Sequence, residues 1–291
     1  MLLTIDIGGT SVKSGLFDRG HLTPLESFDT PKDLETFLSK VGRLVQGQKA
    51  HHQLHGLAVS SPGAVDSQKG QVGGISAVPY IHGIPLVELL EDVSGLPVSI
   101  ENDANCAILS EVYRGEAYHY DHTVFLVVGT GIGGGYVVNQ KLVKGKNNAS
   151  GEFGSMRLFD RADNWSSRAS TLAMVRAYQA ATGQMFDGRQ IFDLADKGDQ
   201  TASAHVTQFY QNLAKGIYNL LMAYDPEIIF IGGGISSRPT LIQELRPHIQ
   251  ALLDLEGLKD FRFDLRLCHF SDQANLIGAA VHFQNRYPDL A

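Results

Sequence analysis

Ile5-Asp6-Ile7-Gly8-Gly9-Thr10-Ser11-Val12-Lys13 is the stretch that decides the fold. An apolar strand, Leu2–Ile7, runs into a tight glycine turn, and a second strand, Val12–Phe17, leaves it. Asp18-Arg19-Gly20 is a further turn, and Leu22–Phe28 reads as a third strand. Glycines carry no Cβ, so backbone N–H groups can approach phosphate oxygens, and Thr10 adds a hydroxyl donor. Lys13 supplies positive charge, while Asp6 at a strand end suits a water held on Mg²⁺ rather than a phosphate. Gly-Gly alone would be an ordinary hairpin turn. Asp6, Gly8, Gly9, Thr10 and Lys13 together point to a phosphate grip.

The same design returns further along. Apolar residues at helical spacing predict a helix over Lys32–Gln46, followed by a strand at Leu54–Ser60, a helix at Leu86–Val93, a strand at Pro97–Ile100 and a helix at Ala104–Tyr113. Thr123–Val128 then reopens a hairpin that returns at Gly135–Asn139, with Lys141–Val143 after it. A long helix, Ala204–Tyr224, precedes a strand at Ile228–Ile231, a helix near Thr240–Leu252, a strand near Asp264–Leu267 and a last helix near Ala274–Gln284. Each half is therefore expected to be a mixed α/β lobe, residues 1–117 and 118–291, the two related by duplication and flanking a cleft. One large α/β sheet with coincidental hairpins is the competing reading.

Val128-Gly129-Thr130-Gly131-Ile132-Gly133-Gly134-Gly135 contains G-x-G-x-x-G, but the dinucleotide fingerprint needs a helix to open at the glycines. Tyr136-Val137-Val138 follows and is strand-like, so Thr130, Gly131 and Gly133 read instead as a second phosphate-facing hairpin. Gly232-Gly233-Gly234 ends a strand, and Gly233 could let a flat adenosine lie against backbone. The G-x-x-x-x-G-K-[ST] phosphate loop is absent, as is the protein-kinase signature set.

Glu101-Asn102-Asp103-Ala104-Asn105 lies between an apolar strand and a helix. Asp103 could simply cap that helix. Phosphoryl transfer to an alcohol, however, needs a carboxylate within hydrogen-bond reach of the attacking hydroxyl. Asn102 can donate and accept beside it. Gly151-Glu152-Phe153-Gly154 offers a second carboxylate in a glycine-flanked loop, and Ser60-Ser61-Pro62-Gly63-Ala64-Val65-Asp66 a turn whose Gly63 N–H could meet a hydroxyl.

Composition bounds the rest. Of 291 residues 43% are hydrophobic and 19% charged, which fits a soluble globular chain of one large or two smaller domains. The net charge of −7 argues against a broad nucleic-acid face or an anionic membrane as partner. Cys106 and Cys268 fit neither a disulfide framework nor a zinc cluster, and both read as buried thiols of a reducing cytoplasm. The first residues lack the basic flank of a signal peptide. His51, His52 and His55 read as a solvated loop.

IDIGGTSVK, SSPGAVD, ENDANCA, VVGTGIGGG, GEFG and FIGGGIS occur in that order over nearly the whole chain. Together they resemble the ROK family (repressors, open reading frames and kinases) of the sugar-kinase, Hsp70 and actin superfamily. The resemblance implies two actin-like ATPase (ribonuclease H-like) lobes, ATP with Mg²⁺, a homodimer, and transfer to the 6-hydroxyl of a hexose or N-acetylhexosamine. It further implies Asp103 as base, Gly63, Asn102 and Glu152 at the sugar, and Gly8 to Thr10, Lys13, Thr130, Gly131 and Gly233 at the nucleotide. Many members read G-E-x-G-H before a zinc-binding cysteine cluster and a second sugar-binding Glu. Here Ser155 stands at the histidine position, Arg157–Ser167 contains no cysteine, and a rough alignment puts Ser166 at the Glu. Zinc is expected to be absent, with Asp160, Asp163, Asn164 and Trp165 ordering the loop. This departure on the C1/C2 side leaves glucose, mannose, fructose, N-acetylmannosamine and β-glucosides open. A sugar-sensing regulator is disfavoured, because no helix-turn-helix precedes the first hairpin.

Overall fold

The computed structural model describes residues 1–74, 76–158, 162–270 and 273–290. They form two compact units. Unit 1 comprises residues 1–118, 145–149 and 269–291, and unit 2 comprises 119–144 and 150–268.

Unit 1 contains β1 (Leu2–Ile7), β2 (Ser11–Asp18), β3 (His21–Asp29), α1 (Leu34–Lys49), β4 (Gly56–Ser61), the small ribbon β5 (Ala64–Asp66) and β6 (Gln71–Gly73), α2 (Leu86–Ser94), β7 (Val98–Asn102) and α3 (Asp103–Arg114). The sheet order is β3-β2-β1-β4-β7. The first three strands pair antiparallel, and β4 and β7 join parallel through helical crossovers. β4 is buried along its whole length, as a central strand covered on both faces must be. Asp33 caps α1 by accepting from the Thr36 N–H at 2.8 Å, and Phe37, Val41 and Val45 form its inward stripe.

Unit 2 contains β8 (His122–Val128), β9 (Ile132–Val138), β10 (Lys141–Val143), α4 (Trp165–Ala169), α5 (Thr171–Thr182), α6 (Gly188–Asp196), α7 (Gln200–Tyr224), β11 (Ile228–Gly232), α8 (Leu241–Leu255) and β12 (Leu265–Leu267). Its sheet runs β10-β9-β8-β11-β12, with the same division into an antiparallel hairpin side and a parallel side. Two sheets of one plan in one chain are the actin-like, ribonuclease H-like duplication. The single-sheet reading is thereby excluded.

The last helix, α9 (Ala274–Arg286), belongs to unit 1. The expected C-terminal lobe of residues 118–291 therefore ends at 268. The cause is apolar: Ile277, Ala279, Ala280 and Phe283 complete a core with Leu2, Phe17, Ala58 and Cys106 on one face of the first sheet. Gly278 is required there, since a Cβ would land on the Cys106 carbonyl of α3. The other face of that sheet is closed by α1 and α2 through Phe37, Val41, Leu86 and Leu90.

Other elements differ from expectation at particular places. β9 begins at Ile132, so Gly133, Gly134 and Gly135 lie in a strand and only residues 129–131 turn. Helices α4, α5 and α6 were not foreseen. Cys106 is buried, but Cys268 is only partly so. Around Trp165 the loop is ordered as expected. Asn164 forms a capping box with Ser167, Asp163 pairs with Arg168, and the buried Trp165 donates Nε1–H to the Asn212 carbonyl at 3.0 Å. Asp160, assigned to the same loop, lies outside the described residues.

Candidate functional site

The β1–β2 turn is tightly built. Gly8 N–H donates to the Ser11 carbonyl at 3.0 Å. Thr30 locks the turn from β3's end, donating Oγ1–H to the Gly8 carbonyl at 2.6 Å and N–H to the Thr10 carbonyl at 3.0 Å. Gly9, Thr10 and Lys13 remain exposed. Asp6 stands opposite Lys13 in the ladder. Its Oδ1 accepts from Ser60 Oγ at 2.7 Å and from Asn275 Nδ2 at 3.1 Å. Burial raises the Asp6 pKa above the ordinary carboxylate value, against the lowering effect of those two donors and of Lys13. Both donors converge on one oxygen, which leaves the other for a water or cation partner. This arrangement fits a carboxylate that holds Mg²⁺ through water.

A second cluster gathers at the end of β7. Asn102, not Asp103, is the cap of α3, and its Oδ1 accepts from Asn105 N–H at 3.1 Å. Asn102 Nδ2 donates both to the Gly63 carbonyl and to Asp103 Oδ1, each at 2.9 Å. Asp103 is the first helical residue, and its Oδ1 also accepts from the Ala104 N–H at 2.8 Å. Gly63, Asn102 and Asp103 are therefore brought together in one unit. Asn102 spends its amide donors internally, on aiming Asp103. Gly63 has φ +98°, and a Cβ there would meet the Gly73 carbonyl of the β5–β6 ribbon. Glu101, fully buried, steadies the loop from below by accepting from Asn102 N–H at 2.9 Å and Asn105 Nδ2 at 3.0 Å.

Unit 2 holds the remaining expected residues. Thr130 is exposed in the β8–β9 turn, and Thr171 N–H at the start of α5 donates to the Gly129 carbonyl at 2.9 Å. Gly233, at φ +84°, packs against the backbone of Val128, so the triplet after β11 and the turn after β8 lie side by side. Glu152 is exposed in its loop. That loop, with the Phe125 carbonyl of β8, explains one glycine of β9 and one of its own. A Cβ on Gly134 would strike Phe153, and one on Gly154 would strike the Ile132 carbonyl. Gly133 has open space where a Cβ would stand. Ser166 Oγ accepts from Ile132 N–H at 2.8 Å, and Ser155 is exposed.

Next to Gly129 and Thr130 opens a cavity of about 700 Å³, walled by α5, α6 and the segment from Gly234 to Thr240. Sequence reasoning did not find it, because its walls come from helices without a motif. Asn275 was likewise missed, since it stands 269 residues from Asp6. Among the described residues, no group of three or more His, Cys, Asp and Glu side chains could hold a metal by itself. No described helix is long and apolar enough to cross a membrane.

Glycine hairpins at corresponding places in two ribonuclease H-like units define a protein of the actin-like ATPase class. The ROK family model matches residues 2–286, and the chain belongs to the ROK family, among its sugar kinases. A beta-glucoside kinase of Listeria monocytogenes is 35% identical over 98% of this chain and 99% of its own. A solved ROK family protein from Streptococcus pneumoniae in complex with sucrose has a TM-score of 0.90 at 34% identity, covering 99% of each chain. A ROK family glucokinase from Streptomyces griseus in complex with glucose and AMPPNP has a TM-score of 0.80 at 26% identity, covering 96% of this chain and 98% of that one. The chemistry of the class is phosphoryl transfer from ATP to a sugar hydroxyl.

Proposed function

We propose that this chain transfers the γ-phosphoryl group of ATP to the 6-hydroxyl of a glucosyl unit substituted at C1, a β-glucoside such as cellobiose. The observation that carries the reading is Ser155 and Ser166. Ser155 stands at the position of the His of many family members, a rough alignment puts Ser166 at that of their Glu on the C1/C2 side, and Ser166 spends its hydroxyl on the backbone of Ile132. Two short hydroxyls replace two long polar side chains, which leaves room for a group on C1. The 35% identity to a beta-glucoside kinase and the likeness to a protein that holds a disaccharide support the same direction.

In this reading Asp103 takes the proton of the 6-hydroxyl as its oxygen attacks phosphorus, and Asn102 holds the carboxylate in its rotamer. The Gly63 N–H and Glu152 bind other sugar hydroxyls. Gly8, Gly9, Thr10 and Lys13 contact the phosphates from unit 1, and Thr130, Gly131, Gly133 and Gly233 hold the nucleotide in unit 2. Mg²⁺, when bound with ATP, neutralises charge on the phosphates, and Asp6 is the residue that would hold it through water.

The test is an ADP-release assay with cellobiose, glucose, mannose, fructose, N-acetylmannosamine and N-acetylglucosamine. Cellobiose should give a kcat/KM at least about 10-fold above glucose, a factor within reach of one accommodated substituent. Phosphorus–proton correlation should place the new ester on C6 of the non-reducing unit. Glucose as the better substrate would return the chain to the simple hexose 6-kinases.

A further inference from the structure

Two arginines, Arg189 and Arg238, line the cavity in unit 2, and the second is held by its neighbours. Arg238 lies five residues after Gly233, and its guanidinium stands 4.7 Å above the Phe192 ring. Its edge is committed to two carboxylates. Nε and Nη2 donate to Glu244 at 2.8 and 2.6 Å, and Nη1 and Nη2 donate to Asp196 at 3.0 and 2.8 Å. Tyr210 fixes Glu244 in turn through a 2.5 Å hydrogen bond. Of the five N–H groups on a guanidinium, four are thus in use. The side chain is 15% exposed and lines the cavity.

A planar cation with one face on an aromatic ring and its edge hydrogen-bonded has only its second face to offer. Its charge is also more than cancelled, because Asp196 and Glu244 leave the cluster with a formal −1. Asp187, Arg189 and Asp193 stand in the same wall and add a further net −1. This end of the cavity repels phosphate, whereas the Gly129–Thr130 end presents a glycine turn. A nucleotide entering here is therefore polarised, with its uncharged base at the Arg238 end.

We infer that the second face of the Arg238 guanidinium is the platform on which the purine base of the nucleotide stacks, and that it sets the preference for purine over pyrimidine nucleotides. Guanidinium planes stack on π-systems in a way an ammonium cannot reproduce. The inference rests on the reading of this cavity as the nucleotide site, and it is independent of which sugar is phosphorylated.

Calorimetric titration of ADP and UDP without sugar tests it. Arg238→Lys should weaken ADP about 10-fold and shrink the ADP-over-UDP preference, while the sugar KM at saturating ATP stays at the wild-type value. A second measurement needs no variant that might misfold. The Arg238 Nε–H, hydrogen-bonded to Glu244, should move upfield in the wild-type protein when ADP binds, and should not move with tripolyphosphate. Unchanged ADP affinity in Arg238→Lys, or ADP binding without that upfield shift, would overturn the inference. Failure of the wild-type protein to bind ADP would remove the nucleotide reading and this inference with it. Failure on cellobiose alone would leave both standing.

Discussion

Asp103 sits at the first turn of α3 with Oδ1 already accepting two hydrogen bonds, from Asn102 Nδ2 and the Ala104 N–H. A carboxylate held this way has a fixed rotamer, which is what a general base needs before the substrate arrives. Asp103→Asn preserves size and removes the proton acceptor, so kcat should fall by roughly 10²–10⁴-fold. The ADP dissociation constant should stay within about two-fold, and turnover within ten-fold of wild type would remove Asp103 as base. Gly233→Ala should be costly for a different reason. Its φ is +84° and a Cβ would stand 2.6 Å from the Val128 carbonyl oxygen, so strain and a backbone clash combine. A loss of about 2 kcal/mol or more in urea unfolding of unit 2 is expected. That Asp103 stands beside Asn102 where β7 gives way to α3 could be read from its neighbours in sequence, because the motif is local. Asn102 was expected at the sugar, and which way its donors turn was not legible. That its donors turn inward to Gly63 and Asp103 depends on a turn 39 residues away.

Helix α9 shows the same limit for elements. Its span is legible from apolar spacing, but its destination is not, because Ile277 and Phe283 look alike whichever sheet they cover. The three helices between Trp165 and Asp196 escaped for a local reason. α5 buries only Met174 and Tyr178, too few for a visible stripe. Within α3, Glu111 is almost fully buried. Its Oε1 accepts from the Phe270 N–H at 2.6 Å, and its Oε2 has no partner among the described residues. Burial raises its pKa above the ordinary 4.5, more than the Phe270 hydrogen bond lowers it. The native state therefore keeps this proton at a pH where the unfolded chain has lost it. Stability must fall as pH rises through that window and stay reduced above it. Glu111→Gln keeps the acceptor and removes the charge. It should raise the melting temperature of unit 1 by about 2–4 °C at pH 8 and by much less at pH 4. An equal gain at both pH values would mean that ionisation is not the cause.

At the scale of the whole molecule, each unit has its own core, and the single tryptophan lies in unit 2. Trp165 is fully buried and hydrogen-bonded to α7, so its fluorescence reports the melting of unit 2. ADP at 100 times its dissociation constant should stabilise that transition by about 2.7 kcal/mol if the nucleotide binds in unit 2. A tryptophan melting curve that ADP does not move would place the nucleotide elsewhere. The duplicated plan was legible because two glycine hairpins recur with strands on both sides. The precise division was not, since it depends on where one terminal helix docks.

That docking has a consequence for how the chain is made. Unit 1 needs residues 269–290, so its first 118 residues cannot close their core until α9 has been made. Unit 2 draws on one almost continuous stretch, and its core can form while the ribosome is still adding α9. The first sheet must meanwhile wait with the Leu2, Phe17 and Ala58 face uncovered, an apolar surface open to wrong contacts until α9 arrives.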